Sequence, residues 1–520
     1  MCVDQLYILT SVIRNRVGEK TYCCFIDLRK AYDRVWRNGL WNRVWREGVR
    51  GKMWRVMKDL YSGTQNCVIV GGEKTDFFEV EEGVRQGCIL SPTLFSIYIN
   101  GVVREILEKG KGIDVGGEKL AILLYADDIV IIANSAEELQ RNMEIMTEWG
   151  RKWKCTFNKK KSQVVVFGSR KKKEMKWFLG GGEIKQVNKY KYLGIDMKGN
   201  LKWGDYKKRQ LEKAEERLNF VGAMGVNSGM LSVKAAEKVW KALVRPIVEY
   251  GAEIWGGGDW EDGEKLQRSM GKRILGLKES TTNEVVRGEM GWWSLKARRD
   301  MIRLRYWRKI LNMGQERLTK KVYEWELSLG VERSWKGYTR ELLDTLGLGA
   351  YWDKQKIDMS KDEWNRLITE RIHKREEEDW KIKMKHKSKL RTYRKVKDKL
   401  EVEGYLRNKD VEGRRMLARI RSGTNKLRIE TGRHTGLEAD DRKCWFGCGK
   451  TEDERHFLLE CKMYDDFRNE LVREVGEEKY KGREIEVMMG KGKEEETGEA
   501  IIYIKKAMAR RERILRFRNN

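Results

Sequence analysis

The stretch that decides the fold is LAILLYADDIVIIA, residues 120–133. Two apolar runs rich in β-branched residues flank the acidic pair Asp127 and Asp128, and such runs are typical of buried strands. The pattern predicts a β-hairpin with the acidic pair at its tip. An Asp-Asp pair alone is most often a surface turn, but an uncompensated charge between two buried strands is costly. A bound cation therefore explains this pair better.

The segments on either side of the hairpin predict the rest of the sheet. YCCFIDL (22–28) indicates a buried strand that ends at Asp27. Ser91 as the N-cap and Pro92 at the first helical position predict one helix, which TLFSIYINGVVREILEKG (93–110) continues to a glycine stop. Ser135 with Glu138 predicts a capping box that opens a second helix, and short strands are predicted at CTFN and SQVVVFG (155–168). The order strand, helix, two strands, helix, strand matches the split βαβ arrangement of a ferredoxin-like sheet. The predicted fold class is therefore α+β, with Asp27 beside the acidic pair.

The rest of the chain predicts mainly helices and an anionic partner. The 520 residues suffice for several domains, and Lys plus Arg exceed Asp plus Glu by 109 to 80, which gives a net charge of +29. Such an excess favours nucleic acid as the partner, although a merely soluble basic protein is the alternative. The stretch 381–399 is especially basic and contains too few apolar residues for a core stripe. It is either a solvated face or a nucleic-acid track.

The cysteine content and the hydropathy of the sequence predict the cellular compartment of the protein. The nine cysteines are mostly scattered, which argues against a disulfide framework and for a reducing compartment. The N-terminal residues lack the order of a secretory signal, and no apolar run has the length of a membrane span. We expect an intracellular protein of the nucleus and cytoplasm, not secreted and without a membrane partner.

A cluster of soft ligands lies near the C-terminus. Its spacing is C-x3-C-x7-H-x4-C, a set of thiol and imidazole groups suited to tetrahedral Zn²⁺, and its members are Cys444, Cys448, His456 and Cys461. The alternative is chance clustering. Trp445 and Phe446, inside the cluster, suit stacking on unpaired bases.

Five motifs in order resemble motifs A to E of reverse transcriptases: FIDLRKAYDRV (25–35), GVRQGCILSPTLF (83–95), YADD (125–128), NKKKS (158–162) and YLG (192–194). The wording LRKAYD and RQGCILSP, and the alanine before the acidic pair, resemble the non-LTR (LINE-type) retrotransposon branch. KALVRPIVEYGAEIW (241–255) resembles the thumb of these enzymes, less specifically. The Cys/His cluster resembles their CCHC zinc knuckle, which usually opens with C-x2-C.

The resemblance implies a right-hand polymerase. Its parts would be a palm with residual fingers, a helical thumb, a basic helical region, a CCHC zinc knuckle and a charged helical tail, at residues 1–200, 201–310, 311–430, 431–470 and 471–520. The family carries a fingers region, whose basic residues clamp the nucleotide triphosphate, and an endonuclease upstream of the palm. We expect this chain to be a fragment of a longer reading frame with its fingers largely missing.

The resemblance also implies roles for single residues. Asp27 and Asp127 would bind two Mg²⁺ ions with Asp128 in support, and Lys161 would protonate pyrophosphate. The expected substrate-binding residues are Tyr32, whose ring would exclude a ribose 2′-hydroxyl, and Arg85, Gln86, Gly87 and Tyr125. Tyr192, Leu193 and Gly194 would form the primer grip. An ordinary core aromatic for Tyr32, a solvated lysine for Lys161 and a plain turn for 192–194 are the alternatives.

The implied function is RNA-directed DNA polymerisation, with an RNA template, a DNA primer or target and dNTPs as partners. A catalytically impaired, truncated nucleic-acid-binding remnant is the alternative, because the fingers are not recognisable. A group II intron maturase or an RNA-templated RNA polymerase is a weaker option, since Tyr32 and the knuckle argue against both.

Overall fold

The computed structural model describes residues 1–168, 175–330 and 334–519, with side chains up to residue 517. Three of the predicted domain ranges, 1–200, 311–430 and 471–520, extend over residues 169–174, 331–333 and 520, which lie outside the described residues.

The N-terminal part is a mixed region of helices and strands. In chain order its elements are α1 (Cys2–Asn15), β1 (Thr21–Ile26), α2 (Arg37–Arg46), α3 (Gly51–Asp59), β2 (Gln65–Asn66), β3 (Ile69–Val70), β4 (Glu73–Lys74), β5 (Phe78–Glu79), α4 (Ser91–Ile99), α5 (Gly101–Lys109), β6 (Ile113–Val115), β7 (Glu118–Leu120), β8 (Ile122–Tyr125), β9 (Asp128–Ala133), α6 (Ala136–Lys152), β10 (Gln163–Phe167), β11 (Trp177–Leu179), β12 (Gly182–Val187), β13 (Lys189–Tyr192) and β14 (Ile195–Lys198).

Six of these strands form one sheet in the order β11-β12-β10-β1-β9-β8. Strand β1 is antiparallel to β10 on one side and to β9 on the other. Alternate residues of β1 enter different cores: Cys23 and Phe25 pack with α1 and the helical part, while Cys24 and Ile26 pack with α2 and α4–α6. The sheet is thus buried on both faces, and the predicted order of strand, helix, hairpin, helix and strand is present in it.

Three local predictions need correction. The helix predicted from Ser91 is two helices, α4 and α5, separated at Asn100, and Leu90 rather than Ser91 holds the N-cap position. The buried Ser91 hydroxyl instead lies 3.1 Å from the Tyr61 hydroxyl, so it is not available to cap the helix. CTFN is not a strand: it makes a single bridge between Phe157 and Leu28, because the chain there turns across the end of β1.

The capping box predicted at the start of α6 is half present. The Ser135 hydroxyl accepts a hydrogen bond from the Glu138 backbone N–H at 3.2 Å, as expected. The Glu138 carboxylate, however, accepts from the backbone N–H of Asn134 rather than from that of Ser135. Helix α6 therefore begins at the predicted residue, but the hydrogen bond to the Glu138 carboxylate comes from the residue before the N-cap.

Helices dominate after residue 200. They are α7 (Gly204–Val221), α8 (Val233–Val239), α9 (Arg245–Glu249), α10 (Ala252–Trp255), α11 (Glu261–Leu275), α12 (Asn283–Met290), α13 (Leu295–Leu311), α14 (Leu318–Ser328), α15 (Trp335–Thr345), α16 (Gly349–Lys354), α17 (Lys361–Lys385), α18 (Tyr393–Val396), α19 (Val411–Arg421), α20 (Arg428–Thr431), α21 (Asp465–Val475), α22 (Glu477–Tyr480), α23 (Glu484–Met488) and α24 (Glu494–Asn519). Within the described part of the chain, none of them is both long and apolar enough to cross a bilayer.

The basic stretch 381–399 does contribute to a core, contrary to the prediction. Its apolar side chains meet the helices before and after it in one buried cluster: Val285, Trp380, Met384, Leu390, Tyr393 and Leu400. The prediction failed because the chain turns between the end of α17 and α18. This turn brings apolar residues that are widely spaced in the sequence to the same side of the segment. The lysines between them remain on the other side, mostly exposed.

Helix α1 joins the sheet to the helical part. The Tyr7 hydroxyl donates a hydrogen bond of 2.7 Å to the buried carboxylate of Glu326 in α14, and Lys309 of α13 pairs with Asp4 at 2.8 Å. Because α1 also covers one face of the sheet, it holds the strand ends and the later helices in one packed body.

Candidate functional site

The sheet places three aspartates side by side. Asp27 follows β1, Asp127 lies in the turn of the β8–β9 hairpin, and Asp128 begins β9. Because Ile26 stands opposite Ile129 in the β1–β9 register, Asp27 falls next to Asp128 across the strands. The backbone of Asp27 is fixed from the other side by the loop before β10: its N–H donates to the Ser162 hydroxyl at 3.1 Å, and its carbonyl accepts from the Asn158 N–H at 2.8 Å.

The charges of these aspartates are not neutralised by the protein. Within the described residues none of the three forms an ion pair; Asp27 and Asp128 are half-buried and Asp127 is exposed. Burial, with a further contribution from the charges of Asp127 and Asp27, raises the pKa of the Asp128 carboxyl to about 6. A divalent cation between them would remove this repulsion, so the donor set fits hard metal ions such as Mg²⁺.

A pocket of about 560 Å³ opens beside the aspartates. The structure brings five of the predicted residues to its wall: Asp27, Tyr32, Gln86, Asp127 and Lys161. Four further lining residues are charged and were not predicted as site residues: Arg29, Lys30, Asp33 and Arg34. They lie within the motif at 25–35, and their spacing about Asp27 and Tyr32 is the signal that could have identified them.

The Tyr32 ring is held in a fixed orientation at this pocket. It stacks on Phe95 with ring centres 4.8 Å apart and planes 14° apart. Its backbone carbonyl accepts a hydrogen bond of 2.8 Å from the Val84 N–H, which joins the loop before α4 to the loop after β1. Tyr32 is therefore half-buried: one face of its ring packs on Phe95, and the residue also lines the pocket.

The three predicted site residues in the loop after Val84 have different surroundings. The Gln86 amide donates to the Asp33 carboxylate at 2.7 Å. The Arg85 guanidinium donates to the Leu60 carbonyl at 2.7 Å and is not among the residues that line the pocket. Gly87 has a φ of +84° and open space where a Cβ would lie, so its backbone conformation, rather than a close approach, requires glycine.

The turn at 192–194 joins β13 to β14 beneath the sheet. Leu193 and Gly194 both have positive φ, and the Tyr250 hydroxyl donates to the Leu193 carbonyl at 2.9 Å. Tyr192 is buried, with its ring centre 5.5 Å from that of Phe25, whereas Tyr125 beside the acidic pair is 37% exposed. Tyr250 was not predicted, although it lies in the thumb-like stretch 241–255.

The second site is the Cys/His cluster. The ligand atoms of Cys444, Cys448, His456 and Cys461 all lie within 4.8 Å of one another, and within the described residues no other group of three or more such side chains comes as close. The Sγ atoms of Cys448 and Cys461 are 3.7 Å apart. Zinc–sulfur bonds of about 2.3 Å in a tetrahedron would place two sulfurs about 3.8 Å apart, so the set fits Zn²⁺.

Local structure builds this cluster. Cys444 donates its N–H to the Lys450 carbonyl at 2.8 Å, and glycines 447 and 449 with positive φ accommodate the extra residue of the C-x3-C turn. The Cys461 N–H donates to the His456 carbonyl. A hydrogen bond from Cys461 lowers the pKa of the Cys444 thiol to about 4. Neither ring nitrogen of the buried His456 has a hydrogen-bond partner in the described chain, so one of them is available to bind a metal ion.

The cluster is enclosed by the C-terminal helices. Glu452, buried within it, pairs with Arg511 of α24 at 2.7 Å, and the Tyr503 hydroxyl donates to the Phe457 carbonyl at 2.8 Å. The partly exposed Trp445 ring lies 4.0 Å from the Arg428 guanidinium. Helix α24 is therefore packed against the cluster rather than a free tail.

The N-terminal part of the chain is similar to known reverse transcriptases. The family described as reverse transcriptase (RNA-dependent DNA polymerase) matches residues 4–197. The RNA-directed DNA polymerase from mobile element jockey of Drosophila funebris is 25% identical over 261 residues, which are 49% of this chain and 28% of the relative. The probable RNA-directed DNA polymerase from transposon BS of Drosophila melanogaster is 26% identical over 49% of this chain and 29% of its own length.

A third relative matches more of the chain. The retrovirus-related Pol polyprotein from type-1 retrotransposable element R1 2 of Nasonia vitripennis is 23% identical over 407 residues, 74% of this chain and 87% of that protein. The chain thus spans less than a third of the length of the jockey and BS polymerases but most of the R1 protein. The resemblance to non-LTR retrotransposon polymerases is confirmed.

Proposed function

Because residues 4–197 of this chain belong to the reverse transcriptase family, we propose that the protein is the RNA-directed DNA polymerase of a non-LTR retrotransposon. Its substrates would be dNTPs and a DNA primer or target paired to an RNA template, inside the cell. The observation that carries the proposal is the meeting of Asp27, Asp127 and Asp128 without an ion-pair partner in the described chain, with Asp27 and Asp127 lining a nucleotide-sized pocket.

The carboxylates define the reaction centre. Asp27 and Asp127 would hold two Mg²⁺ ions, with Asp128 in support; when bound, the ions activate the primer 3′-hydroxyl and neutralise the departing pyrophosphate. Lys161, on the same pocket wall, is exposed and placed to give a proton to that leaving group. The hydroxyl of Ser162 keeps Asp27 in place through its backbone N–H.

Other pocket residues would select and position the substrate. The Tyr32 ring, held by Phe95, would lie under the sugar and exclude a 2′-hydroxyl. Gln86 and Gly87 would lie beneath the incoming nucleotide and template. The turn at 192–194, tied to the helical part by Tyr250, would support the primer end. These roles make residues 1–200 a palm and 201–310 a thumb.

The Cys/His cluster would hold one structural Zn²⁺. Such an ion would join the turn that carries Cys444 and Cys448 to the segment that carries His456 and Cys461. Because four protein ligands complete a tetrahedron, the site fits a structural role rather than a catalytic one. With the exposed Trp445 beside it, we assign residues 431–470 to a zinc knuckle that contacts nucleic acid.

A second candidate is binding of nucleic acid without polymerisation. The net charge of +29 supports it independently of the aspartates. The two candidates differ in what the chain does to a bound primer: the first extends it, and the second only retains it.

Primer extension on an RNA template with Mg²⁺ and dNTPs tests the proposal. The full chain should extend the primer, and the Asp127→Ala, Asp128→Ala variant should bind it without extension. Asp353→Asn, which changes an exposed aspartate in α16, is the matched control and should behave like the unchanged chain. Equal extension by the double variant would exclude this reaction centre, and binding without extension by the unchanged chain would establish the second candidate.

A further inference from the structure

A further pocket, of about 340 Å³, lies in the helical part of the chain, where residues of α8, α9, α11, α13 and α17 line it. Four of the lining residues are cations: Lys241, Arg245, Arg298 and Arg305. Three are aromatic: Trp240, Trp292 and Trp293. This helical pocket shares no lining residue with the reaction pocket, so the two are separate sites.

The positive charge of the helical pocket exceeds what nearby carboxylates neutralise. Glu237, the one carboxylate among its described lining residues, pairs with Lys241 at 2.7 Å. A single carboxylate outside the lining, that of Glu249, is shared by Arg245 and Arg298. Four cations therefore have two carboxylates between them, which leaves an excess of two positive charges.

Two arginines carry most of this excess. Arg305 is exposed, and in the described part of the chain its guanidinium has no ion pair and no hydrogen bond. The buried Nε of Arg245 lies 3.5 Å from the Glu249 carboxylate but makes no hydrogen bond to it. Both guanidinium groups therefore have donors available to an anion.

The tryptophans give the pocket flat apolar surface. Trp240 and Trp292 are buried and stacked, with ring centres 5.9 Å apart and planes 20° apart. Trp293 is only half-buried, and His373 of α17 stacks on one of its faces at 4.8 Å. The Trp293 backbone carbonyl accepts a hydrogen bond of 3.0 Å from the Gln267 amide, which fixes the residue at the pocket. A further ring can stack only on the opposite face of Trp293.

The helix that carries part of this lining is irregular. Residues Trp240–Val244 form a π-helical turn between α8 and α9, closed by a hydrogen bond from the Arg245 N–H to the Trp240 carbonyl. Residues five apart lie on different sides of an α-helix, whereas the π-turn brings Trp240 and Arg245 to the same side. Such turns inside α-helices are frequent at functional sites.

Cations beside an aromatic ring identify the chemical class of the ligand. Guanidinium groups bind phosphate oxygens, and an indole stacks on a planar base. An acidic peptide would pair with the cations but leave the ring unused. At about 340 Å³ the pocket suits one nucleotide. The net charge of +29 favours a nucleotide that belongs to a polyanionic strand.

We propose that the helical pocket binds one unpaired nucleotide of a single-stranded nucleic acid, with the base on Trp293 and the phosphates at Arg245 and Arg305. The site goes beyond the polymerase reaction, because it needs neither the aspartates nor a primer. A free mononucleotide shares this chemistry, and the experiment separates the two sources.

Hydroxyl-radical footprinting of Trp293 in the full chain tests the site, read by mass spectrometry of the tryptic peptide 288–296. This readout reports on the helical pocket alone, whereas total binding would include other basic surfaces. A single-stranded RNA or DNA of about ten nucleotides should protect Trp293 from oxidation. A fully paired duplex and a mononucleotide should each need at least about tenfold higher concentration. Equal protection by either of them would overturn the proposal, as would no protection by the single strands.

An abasic strand of the same length tests the role of the base. It keeps the phosphates and removes the stacking partner, so half-maximal protection of Trp293 should need about tenfold more strand. Protection by the abasic strand or by polyglutamate at the same concentration as the normal strand would overturn the proposal, because any polyanion would then suffice.

A charge variant tests the phosphate contact. Arg305→Gln removes a cation without breaking an ion pair, and it should raise the strand concentration for half-maximal protection about tenfold. Lys238→Gln changes an exposed lysine of α8 that does not line the pocket, so it is the matched control and should cause no shift. Equal shifts in the two variants would contradict a specific site.

The reaction-centre variant separates this site from the polymerase proposal. Asp127→Ala, Asp128→Ala should abolish primer extension and leave the protection of Trp293 unchanged. Loss of protection in that variant would show that the pocket is not an independent site. If the single strand protects Trp293 but the unchanged chain extends no primer, the polymerase function fails and the nucleotide site stands.

Discussion

The reaction pocket and the helices around the Cys/His cluster treat charge in opposite ways. In the helical part of the chain, buried charges are paired: Arg421 of α19 with Glu289 of α12 at 2.9 Å, and Arg511 with Glu452 beside the cluster at 2.7 Å. In the pocket, aspartates and cations are both among the lining residues, and no ion pair joins them in the described chain. Buried charge without a partner is costly, so the buried charges of the helical part are paired with one another. Most of the pocket charges are exposed to solvent and remain available to a ligand.

The two regions also assemble their ligands differently. The cluster draws all four side chains from residues 444–461, and hydrogen bonds within that segment set most of its geometry. The aspartates come from two strands, and only the β1–β9 pairing brings them together. The comparison predicts that perturbing the pocket changes activity, whereas perturbing the C-terminal region changes stability and metal content.

The largest expected effect follows removal of one pocket carboxylate. Asp27→Asn should lower primer extension roughly a thousandfold, because loss of a metal ligand removes several kcal/mol of transition-state stabilisation. Extension rates measured with saturating Mg²⁺ and dNTPs test this, with Asp353→Asn as the control. Zinc content should stay the same. If the variant kept more than about a tenth of the extension rate, the prediction that changes in the pocket act on activity would be contradicted.

Next in size is the loss of a buried ion pair in the C-terminal region. Arg421→Met leaves the fully buried Glu289 without its cation, which should cost about 3–5 kcal/mol of unfolding free energy. Glu403 loses Arg421 but keeps its ion pair with Lys397. Denaturant unfolding followed by tryptophan fluorescence measures it. Lys198→Met, which removes an exposed pair with Asp205, is the control and should change little. Similar shifts for both variants would contradict the assignment.

A smaller effect is expected from one ligand of the Cys/His cluster. Cys444→Ser should reduce bound zinc from about one equivalent per chain to well below that, because a structural site needs all four ligands. Metal analysis of the purified protein measures it, and Cys67→Ser, a cysteine outside the cluster, is the control. Unchanged zinc in Cys444→Ser would mean that the four side chains meet for packing alone.

The smallest effect concerns the Tyr32 ring. Tyr32→Ala should lower the preference for dNTPs over rNTPs by about tenfold or more, since the ring that blocks the 2′-hydroxyl is gone. The ratio of kcat/KM for the two nucleotides is the readout. Tyr32→Phe keeps the ring stacked on Phe95 and should keep the preference. If both variants discriminate like the unchanged chain, Tyr32 is only a core aromatic.

Much of the site could be predicted because its signals are local. The hairpin around Asp127 and Asp128 follows from two apolar runs, and the Cys/His cluster follows from spacing within one short segment. The failures were of two kinds. Ser91 was predicted to cap a helix, but a tertiary contact with Tyr61 takes its hydroxyl. The basic stretch 381–399 was predicted to lack a core, but chain turns gather its few apolar residues.

The sequence by itself predicted the resemblance to reverse transcriptases, the three candidate metal-binding aspartates and the candidate zinc ligands, because residue identity and short spacing specify them. Only the tertiary structure decided that Arg85 turns away to Leu60 and that Tyr250 supports the turn at Leu193. Whether a charged side chain forms an ion pair or lines a pocket depends on which distant segments of the chain pack beside it. Strand pairing and helix packing, not local propensity, bring those segments together.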